Sequence, residues 1–278
     1  MRIIDAHLHL WDIKRLRYPW LETVPALQRD FLPADYQAAA AGTPVEALVV
    51  VQGECLPERY REEVLFIQEQ VHTDTRIQAL VAYAPVEDER LLEEALQFFS
   101  TIPLVKGVRR MYDEAPSLCI QPSFIKGLHR LAACGYSFDI SVKPHALPDT
   151  ISMIVQCPQT PFVLDHLGKP DIRNRAFDTY RKHIDALSAL ENVTAKISGL
   201  VTEAHWQNWT AETLRPYIDY AIDKFGFQRL MFGSDYPVVL LAATYDKWLT
   251  TVHDAVRGCT PEEEAALFYG TAKRVYRL

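Results

Sequence analysis

Short runs of β-branched and apolar residues recur along the chain and alternate with longer segments of mixed apolar and charged residues. Near-continuous apolar runs are typical of strands that a parallel sheet buries on both faces. They predict eight strands, over residues 2–8, 47–54, 77–85, 104–111, 136–144, 160–168, 193–199 and 229–235. The intervening segments predict helices over 58–72, 88–101, 121–134, 147–156, 174–190 and 210–225.

Eight strand–helix units in a chain of 278 residues favour a closed barrel over an open sheet. We therefore predict an α/β fold, a (β/α)8 TIM barrel that forms a single domain over residues 1–278. One connection departs from the repeat, because a long aromatic- and proline-rich segment follows the first strand. We expect this loop to lie over the C-terminal mouth of the barrel, where long loops are usually functional. Its aromatic residues include Trp11, Tyr18 and Trp20.

Composition narrows the classes of function. The formal net charge is −7 and no basic stripe occurs, so nucleic acid is not an expected partner. No apolar run is long enough for a transmembrane helix and no signal-peptide pattern opens the chain, so we expect a cytoplasmic protein without a membrane partner. The five cysteines contain no CxxC pair, which suits reduced thiols better than a disulfide framework. At the C-terminus, Thr260 and Glu263 form a capping-box pattern that predicts a final helix.

The first strand ends in an unusual pair of histidines within the stretch RIIDAHLHLWD. In a regular strand, Asp5, His7 and His9 would share one face, and Ile4 and Ala6 would share the other. Two histidines on a half-exposed strand would by themselves need no function. The ends of the other strands therefore decide between a surface pair and a site.

Polar residues lie in or just after the C-terminal parts of most of the other predicted strands, where barrels keep their chemistry. Because these ends meet at one mouth, the polar side chains should converge there. A lone lysine or arginine at a strand end is more often a salt-bridge partner than a functional residue. The convergence of many polar residues is therefore the stronger indication of a functional site. The residues concerned are Gln52, Glu54, Arg109, Arg110, Lys143, His145, Asp165, His166, Lys196, Ser198, Ser234 and Asp235.

This arrangement resembles the amidohydrolase superfamily, marked by HxH on the first strand and an aspartate on the last. The resemblance extends over nearly the whole chain to the amidohydrolase-2 branch that contains sugar-acid lactonases. The sequence is similar, more distantly, to the 2-pyrone-4,6-dicarboxylate lactonases. The HxH pair alone is a weak motif, but the ordered set is specific. It comprises IDAHLHLWD, GVRR, VKPHALP, FVLDHLGKP, KISGLVTEAHW and FGSDYPV.

The resemblance implies hydrolysis of a small-molecule lactone, an aldonolactone opened to its aldonate. Asp235 would activate water as general base, and His7, His9 and His166 would polarise the lactone carbonyl. The resemblance also implies one divalent metal of the zinc type. Because a lactone is an activated ester, its opening could proceed without this metal. Metal ligands would come from the same four residues, with Glu54 as a further candidate. A binuclear centre is not expected, because strand 4 offers no bridging residue at its end.

Substrate hydroxyls require donors and acceptors, and a ring offers an apolar face to an aromatic side chain. The candidates for substrate binding are Arg109, Lys143, His145, Lys196, Gln52 and Trp11. Only one of Arg109 and Arg110 can face the pocket on a regular strand. Lys196 could instead hold a carboxylate in place. The alternatives are a metal-dependent decarboxylase, an amide hydrolase and a barrel that binds a ligand without turnover. A homodimer is also possible.

Overall fold

The computed structural model describes residues 1–278 as an eight-stranded parallel barrel, as the pattern predicts. Neighbouring strands pair in chain order from first to last. The last strand meets the first through two backbone hydrogen bonds, from His9 N to Tyr236 O (2.6 Å) and from Asp235 N to His7 O (2.7 Å). The strands are β1 (Ile3–Leu8), β2 (Val45–Val51), β3 (Ile77–Ala82), β4 (Val105–Arg109), β5 (Ser137–Ile140), β6 (Phe162–Leu164), β7 (Val193–Ile197) and β8 (Leu230–Phe232).

Helices connect the strands on the outside of the barrel. They are α1 (Pro33–Ala39), α2 (Tyr60–Gln70), α3 (Glu89–Ser100), α4 (Pro122–Ala133), α5 (Leu147–Gln156), α6 (Phe177–Ser188), α7 (Ala211–Phe225), α8 (Tyr245–Ala255), α9 (Pro261–Ala265) and α10 (Thr271–Tyr276). The six predicted helices are confirmed as α2 to α7, whereas α1 and α8 were not predicted. None of the ten has both the length and the apolar character needed to cross a membrane.

The C-terminal segment is less regular than predicted. Thr260 and Glu263 do form the capping box that begins α9. The expected single helix is interrupted, because Ala266–Gly270 adopts π-helical geometry before α10. α10 then brings Tyr276 against Ile4, Ala6 and other apolar side chains in a second, smaller core cluster. The terminal helix therefore contributes to the barrel interior.

A bulge in β1 decides which of its side chains face the interior. Asp5 lies opposite Leu48 of β2 and Leu8 lies opposite Val50, so β1 contains one residue more than its partner between these points. Such a bulge re-aims the side chains that follow it. The prediction that Asp5 shares a face with both histidines is therefore wrong. The Asp5 carboxylate accepts a hydrogen bond from the Tyr36 hydroxyl (3.0 Å) outside the barrel.

The connection after β1 contains two short 3₁₀ helices, Pro19–Thr23 and Pro25–Leu27, followed by α1. Trp11 pairs with Phe31 through two backbone hydrogen bonds of 2.9 Å. Trp11, Tyr18 and Phe31 are buried, and the ring centroids of Trp11 and Trp20 are 5.5 Å apart. Aromatic packing thus stabilises this connection against the mouth of the barrel.

Candidate active site

Four side chains predicted from the strand ends meet at the C-terminal mouth. The Nε2 atoms of His7 and His9 are 3.2 Å apart. Asp235 Oδ1 lies 3.7 Å from His7 Nε2, 3.6 Å from His9 Nε2 and 4.0 Å from His166 Nε2. All four residues are buried. One carboxylate oxygen is therefore surrounded by three imidazole nitrogens.

The partners behind the imidazoles fix which nitrogen faces the carboxylate. His7 Nδ1 lies 3.2 Å from the Asp165 carboxylate, and His9 Nδ1 lies 2.9 Å from the carbonyl oxygen of Val51. Both oxygens accept hydrogen bonds, so both Nδ1 atoms donate a proton and both Nε2 atoms retain a lone pair. His166 Nδ1 lies 2.9 Å from the Ser198 hydroxyl and is oriented in the same way.

A left-handed turn after β6 brings His166 to the site. His166, Leu167, Gly168 and Lys169 all have positive φ, between 48° and 76°. This conformation is costly for residues other than glycine and persists only where the surroundings impose it. Gly199 makes room for the turn, because a Cβ at this position would collide with the His166 ring. His166 and Lys169 are three residues apart in this tight turn, and both line the same pocket.

Burial and charge set the ionisation of the cluster. Burial holds the pKa values of His7 and His166 well below their usual range, which favours neutral imidazoles. Burial opposes ionisation of Asp235, but the neighbouring His166 and His9 outweigh it and hold its pKa below the usual range. A carboxylate between neutral imidazoles can accept a proton from a nearby water.

The donor set fits a single divalent ion. His7, His166 and Asp235 offer ligand atoms that all lie within 4.8 Å of one another. Two ligands on one tetrahedral zinc ion, with bonds of about 2.0–2.1 Å, lie roughly 3.3 Å apart. The facing Nε2 lone pairs of His7 and His9, 3.2 Å apart, would repel each other without a cation or proton between them. The other two predicted ligands, His9 and Glu54, line the same pocket but do not belong to this group of ligand atoms.

A fully buried cluster of charges lies beneath the histidines. Lys196 Nζ is 2.7 Å from Asp139 Oδ2 and 2.9 Å from Asp165 Oδ1, and all three side chains are fully buried. The Tyr276 hydroxyl donates to Asp139 Oδ2 (2.6 Å). Despite burial, Lys196 and His7 hold the pKa of Asp165 well below its usual range. Asp165 thus keeps the negative charge that orients His7.

The pocket above the cluster has a volume of about 200 Å³. Of the candidates for substrate binding, Arg109 lines it, and its Nη2 also donates to the Gln52 carbonyl oxygen (2.7 Å). Arg110 faces away and pairs with Glu87 (2.7 Å). The pocket is also lined by His9, His166, Asp235, Glu54, Lys169, Glu203, Ser141 and Trp20.

The remaining candidates lie elsewhere. Lys143 and His145 line a larger neighbouring cavity. Lys196 lies below the histidines, and Trp11 is fully buried with its indole NH donating to the Arg29 carbonyl (2.7 Å). Gln52 is buried and accepts a hydrogen bond from the backbone NH of Glu54. Neither Lys196, Trp11 nor the Gln52 side chain therefore faces the pocket.

Comparison with known proteins identifies the family of this barrel. A family model described as amidohydrolase matches residues 4–278. The chain belongs to the amidohydrolase family. It is 35% identical to an L-fucono-1,5-lactonase of Burkholderia multivorans, over 99% of this chain and 96% of the relative. It is 28% identical to an L-fucono-1,5-lactonase of Burkholderia ambifaria, over 99% and 95% respectively. A crystal structure of a Burkholderia multivorans amidohydrolase with bound zinc superposes with a TM-score of 0.91, at 32% identity and 100% coverage of both chains.

Several residues of this amidohydrolase site were not singled out from the sequence. Lys169 and Glu203 line the pocket, and Asp139 anchors Lys196. A polar residue in the middle of the buried strand SFDI was a usable signal for Asp139, because buried charges need partners. No comparable signal marks Tyr276, whose hydroxyl reaches the site from the far end of the chain.

Proposed function

We propose that this amidohydrolase hydrolyses sugar-acid lactones, converting an aldonolactone to its aldonate. The observation that carries the proposal is the Asp235 carboxylate held between the three imidazoles on the floor of a small polar pocket. The lactonases named among its relatives support the choice of a cyclic ester over an amide. The same relatives favour L-fucono-1,5-lactone as the first substrate to test.

The residues of the pocket suffice for the chemical steps. Asp235 accepts a proton from water as the water oxygen attacks the lactone carbonyl carbon. Arg109 and Lys169, which line the pocket, stabilise the negative charge that develops on the carbonyl oxygen. The bond from the carbonyl carbon to the ring oxygen then breaks, and protonated Asp235 returns its proton to the departing oxygen. One water is consumed, and the new carboxylic acid ionises to the aldonate.

A divalent ion, of which zinc is the best candidate, would be held by His7, His9, His166 and Asp235. When bound, it supplies Lewis acidity toward the carbonyl or the attacking water. The 3.2 Å separation of the His7 and His9 Nε2 atoms, whose Nδ1 partners leave them unprotonated, supports such binding. The ring of an aldonolactone is an activated ester, which demands less from its catalyst than an amide. We therefore propose that the metal assists lactone opening without being indispensable.

The test is a pH-indicator assay of the purified enzyme against a panel of aldono-1,4- and 1,5-lactones, since ring opening releases a proton. We expect rapid turnover of L-fucono-1,5-lactone or a stereochemical relative. Asp235→Asn should lower the rate by about 10²- to 10⁴-fold while preserving the fold. Asp246→Asn removes an exposed carboxylate on α8 and is the matched control. Absence of turnover across the panel would refute the lactonase and favour the decarboxylase or amide hydrolase.

Metal removal tests the second part of the proposal. After prolonged chelation, with metal content verified, the enzyme should retain at least about a tenth of its lactonase rate. The reason is that Asp235 and the pocket cations remain in place. A complete loss of activity that only zinc restores would instead make the metal the essential electrophile and the histidines its ligands.

A further inference from the structure

A second, larger cavity lies beside the catalytic pocket. Its volume is about 630 Å³, within the range of small-molecule sites, whereas the catalytic pocket has about 200 Å³. The two cavities share a wall formed by Lys169, Thr202 and Glu203. A molecule that leaves the catalytic pocket on this side therefore enters the larger cavity.

This outer cavity collects cations that have no ionic partner. Lys14 and Lys126, on the surface, each have a carboxylate oxygen at 2.7 Å. No carboxylate oxygen lies within 4.0 Å of the side-chain nitrogens of Lys143, Lys169 or Arg173, which all line the outer cavity.

The cavity is also lined by two carboxylates, Asp171 and Glu203, so its three cations exceed them by one charge. The Asp171 carboxylate accepts hydrogen bonds from the Asn174 side-chain amide, at 3.0 and 2.9 Å. Burial raises the pKa of Glu203, against the lowering effect of Lys169 and Lys143. The cavity therefore presents a net positive field to a small molecule.

We infer that the outer cavity is a binding site for the carboxylate of a sugar acid, and that its occupant is the aldonate formed in the adjacent pocket. This inference rests on the proposed function for the identity of the acid. Lactones of the proposed class are neutral and their hydrolysis products are anions, so unpaired cations at the exit distinguish product from substrate. Lys143 and Arg173, which line only the outer cavity, hold the carboxylate, and Lys169 on the shared wall guides it across.

The test is calorimetric titration of the intact protein with sodium L-fuconate, with the neutral alditol L-fucitol as the matched probe. Fuconate should bind at least about tenfold more tightly than fucitol, because charge-assisted hydrogen bonds to the carboxylate are lost in the alditol. Lys143→Met and Arg173→Met should each weaken fuconate binding roughly tenfold and leave fucitol binding unchanged. Lys182→Met removes an exposed lysine of α6 that does not line the cavity, and it should bind fuconate like the wild type.

The outcomes separate the inference from the proposed function. Equal binding of fuconate and fucitol, or unchanged fuconate binding in both cavity variants, overturns the outer site even if lactones are hydrolysed. Charge-dependent fuconate binding without any lactone turnover would retain the sugar-acid site and refute the lactonase. D-glucaro-1,4-lactone, which carries a free carboxylate, tests the other source of the anion. If the cavity variants raise its KM but leave fuconate binding unchanged, the cavity serves an acidic substrate and the product assignment is wrong.

Discussion

Two lysines, one beneath the histidines and one at the outer cavity, carry their positive charges in opposite environments. Lys196 is fully buried between Asp139 and Asp165, at 2.7 and 2.9 Å. Lys143 is exposed at the outer cavity and has no carboxylate within 4.0 Å. A buried charge must be neutralised by its surroundings, whereas water can solvate an exposed one. Lys196 therefore binds only protein carboxylates, whereas the Lys143 ammonium group is available to bind a ligand.

The comparison also separates two kinds of contribution to function. Lys196 compensates the charge of Asp165, which in turn orients His7, so it acts on the site through other residues. Lys143 has no such chain of contacts to the histidines. Loss of the first lysine should therefore affect stability and the whole site, and loss of the second should affect only the binding of an anion.

The largest expected effect is on the buried lysine. Lys196→Met should lower the free energy of unfolding by about 3–5 kcal/mol, because it leaves buried Asp139 without its cation and Asp165 with only Arg109, at 3.6 Å. Lys143→Met should change it by less than about 0.5 kcal/mol, because the exposed side chain makes no such contact. Urea denaturation of both variants, followed by fluorescence, measures the difference. A cost below about 1 kcal/mol for Lys196→Met would mean that the cluster does not depend on its central charge.

The contrast between these lysines also marks what the sequence can predict. Strand number and order follow from the apolar pattern, because parallel strands buried on both faces need continuous apolar runs. His7, His9, His166 and Asp235 could be expected to meet, because the C-terminal ends of barrel strands share one mouth. Both lysines lie within predicted strands, 193–199 and 136–144, so the apolar pattern alone did not separate the buried one from the exposed one.

The details that were not predicted depend on local backbone geometry or on long-range contacts. The bulge in β1 turns Asp5 away from the histidines, and strict alternation along a strand cannot reveal it. The left-handed turn at His166 brings Lys169 to the pocket against the usual preference of its residues. The packing of α10 places Tyr276 beneath the barrel. Tyr276 and Asp139, which its hydroxyl contacts, are 137 residues apart in sequence. Such contacts are set by the whole fold.

The carboxyl group of Glu63 extends the comparison, because it is buried from water and has no cation bonded to it. Glu63 is buried beneath the end of β2 and accepts one hydrogen bond, from the backbone NH of Gly53 (2.9 Å). Burial raises its pKa to about 7, from an ordinary value of 4.5. The folded state therefore binds this proton more tightly than the unfolded state. Stability from this group is fully present below pH 4.5 and is lost as the pH rises to about 7.

Glu63→Gln mimics the protonated carboxyl and should remove this dependence. The variant should match the wild type near pH 4 and exceed its free energy of unfolding by up to roughly 3 kcal/mol at pH 8, since each pKa unit corresponds to about 1.4 kcal/mol. Urea titrations between pH 4 and pH 8 provide the measurement. Glu62→Gln, at the half-exposed neighbouring position that pairs with Arg59, is the control and should show no gain as the pH rises. Parallel curves for wild type and Glu63→Gln would show that Glu63 is ionised throughout.

The smallest effect concerns the hydroxyl that reaches the charge cluster from the C-terminus. Tyr276 donates to Asp139 Oδ2 (2.6 Å), and Tyr276→Phe should cost about 1.5 kcal/mol in the free energy of unfolding, as expected for a hydrogen bond to a charged group. Tyr180→Phe is the matched control, because its buried hydroxyl donates to a neutral acceptor, the Tyr217 carbonyl (2.7 Å), and should cost about 1 kcal/mol. The difference between the two costs should disappear in a Lys196→Met background if Asp139 then takes up a proton. If Tyr276→Phe costs no more than Tyr180→Phe in the otherwise unchanged protein, Lys196 alone balances Asp139, and the terminal helix serves the barrel only through its apolar contacts.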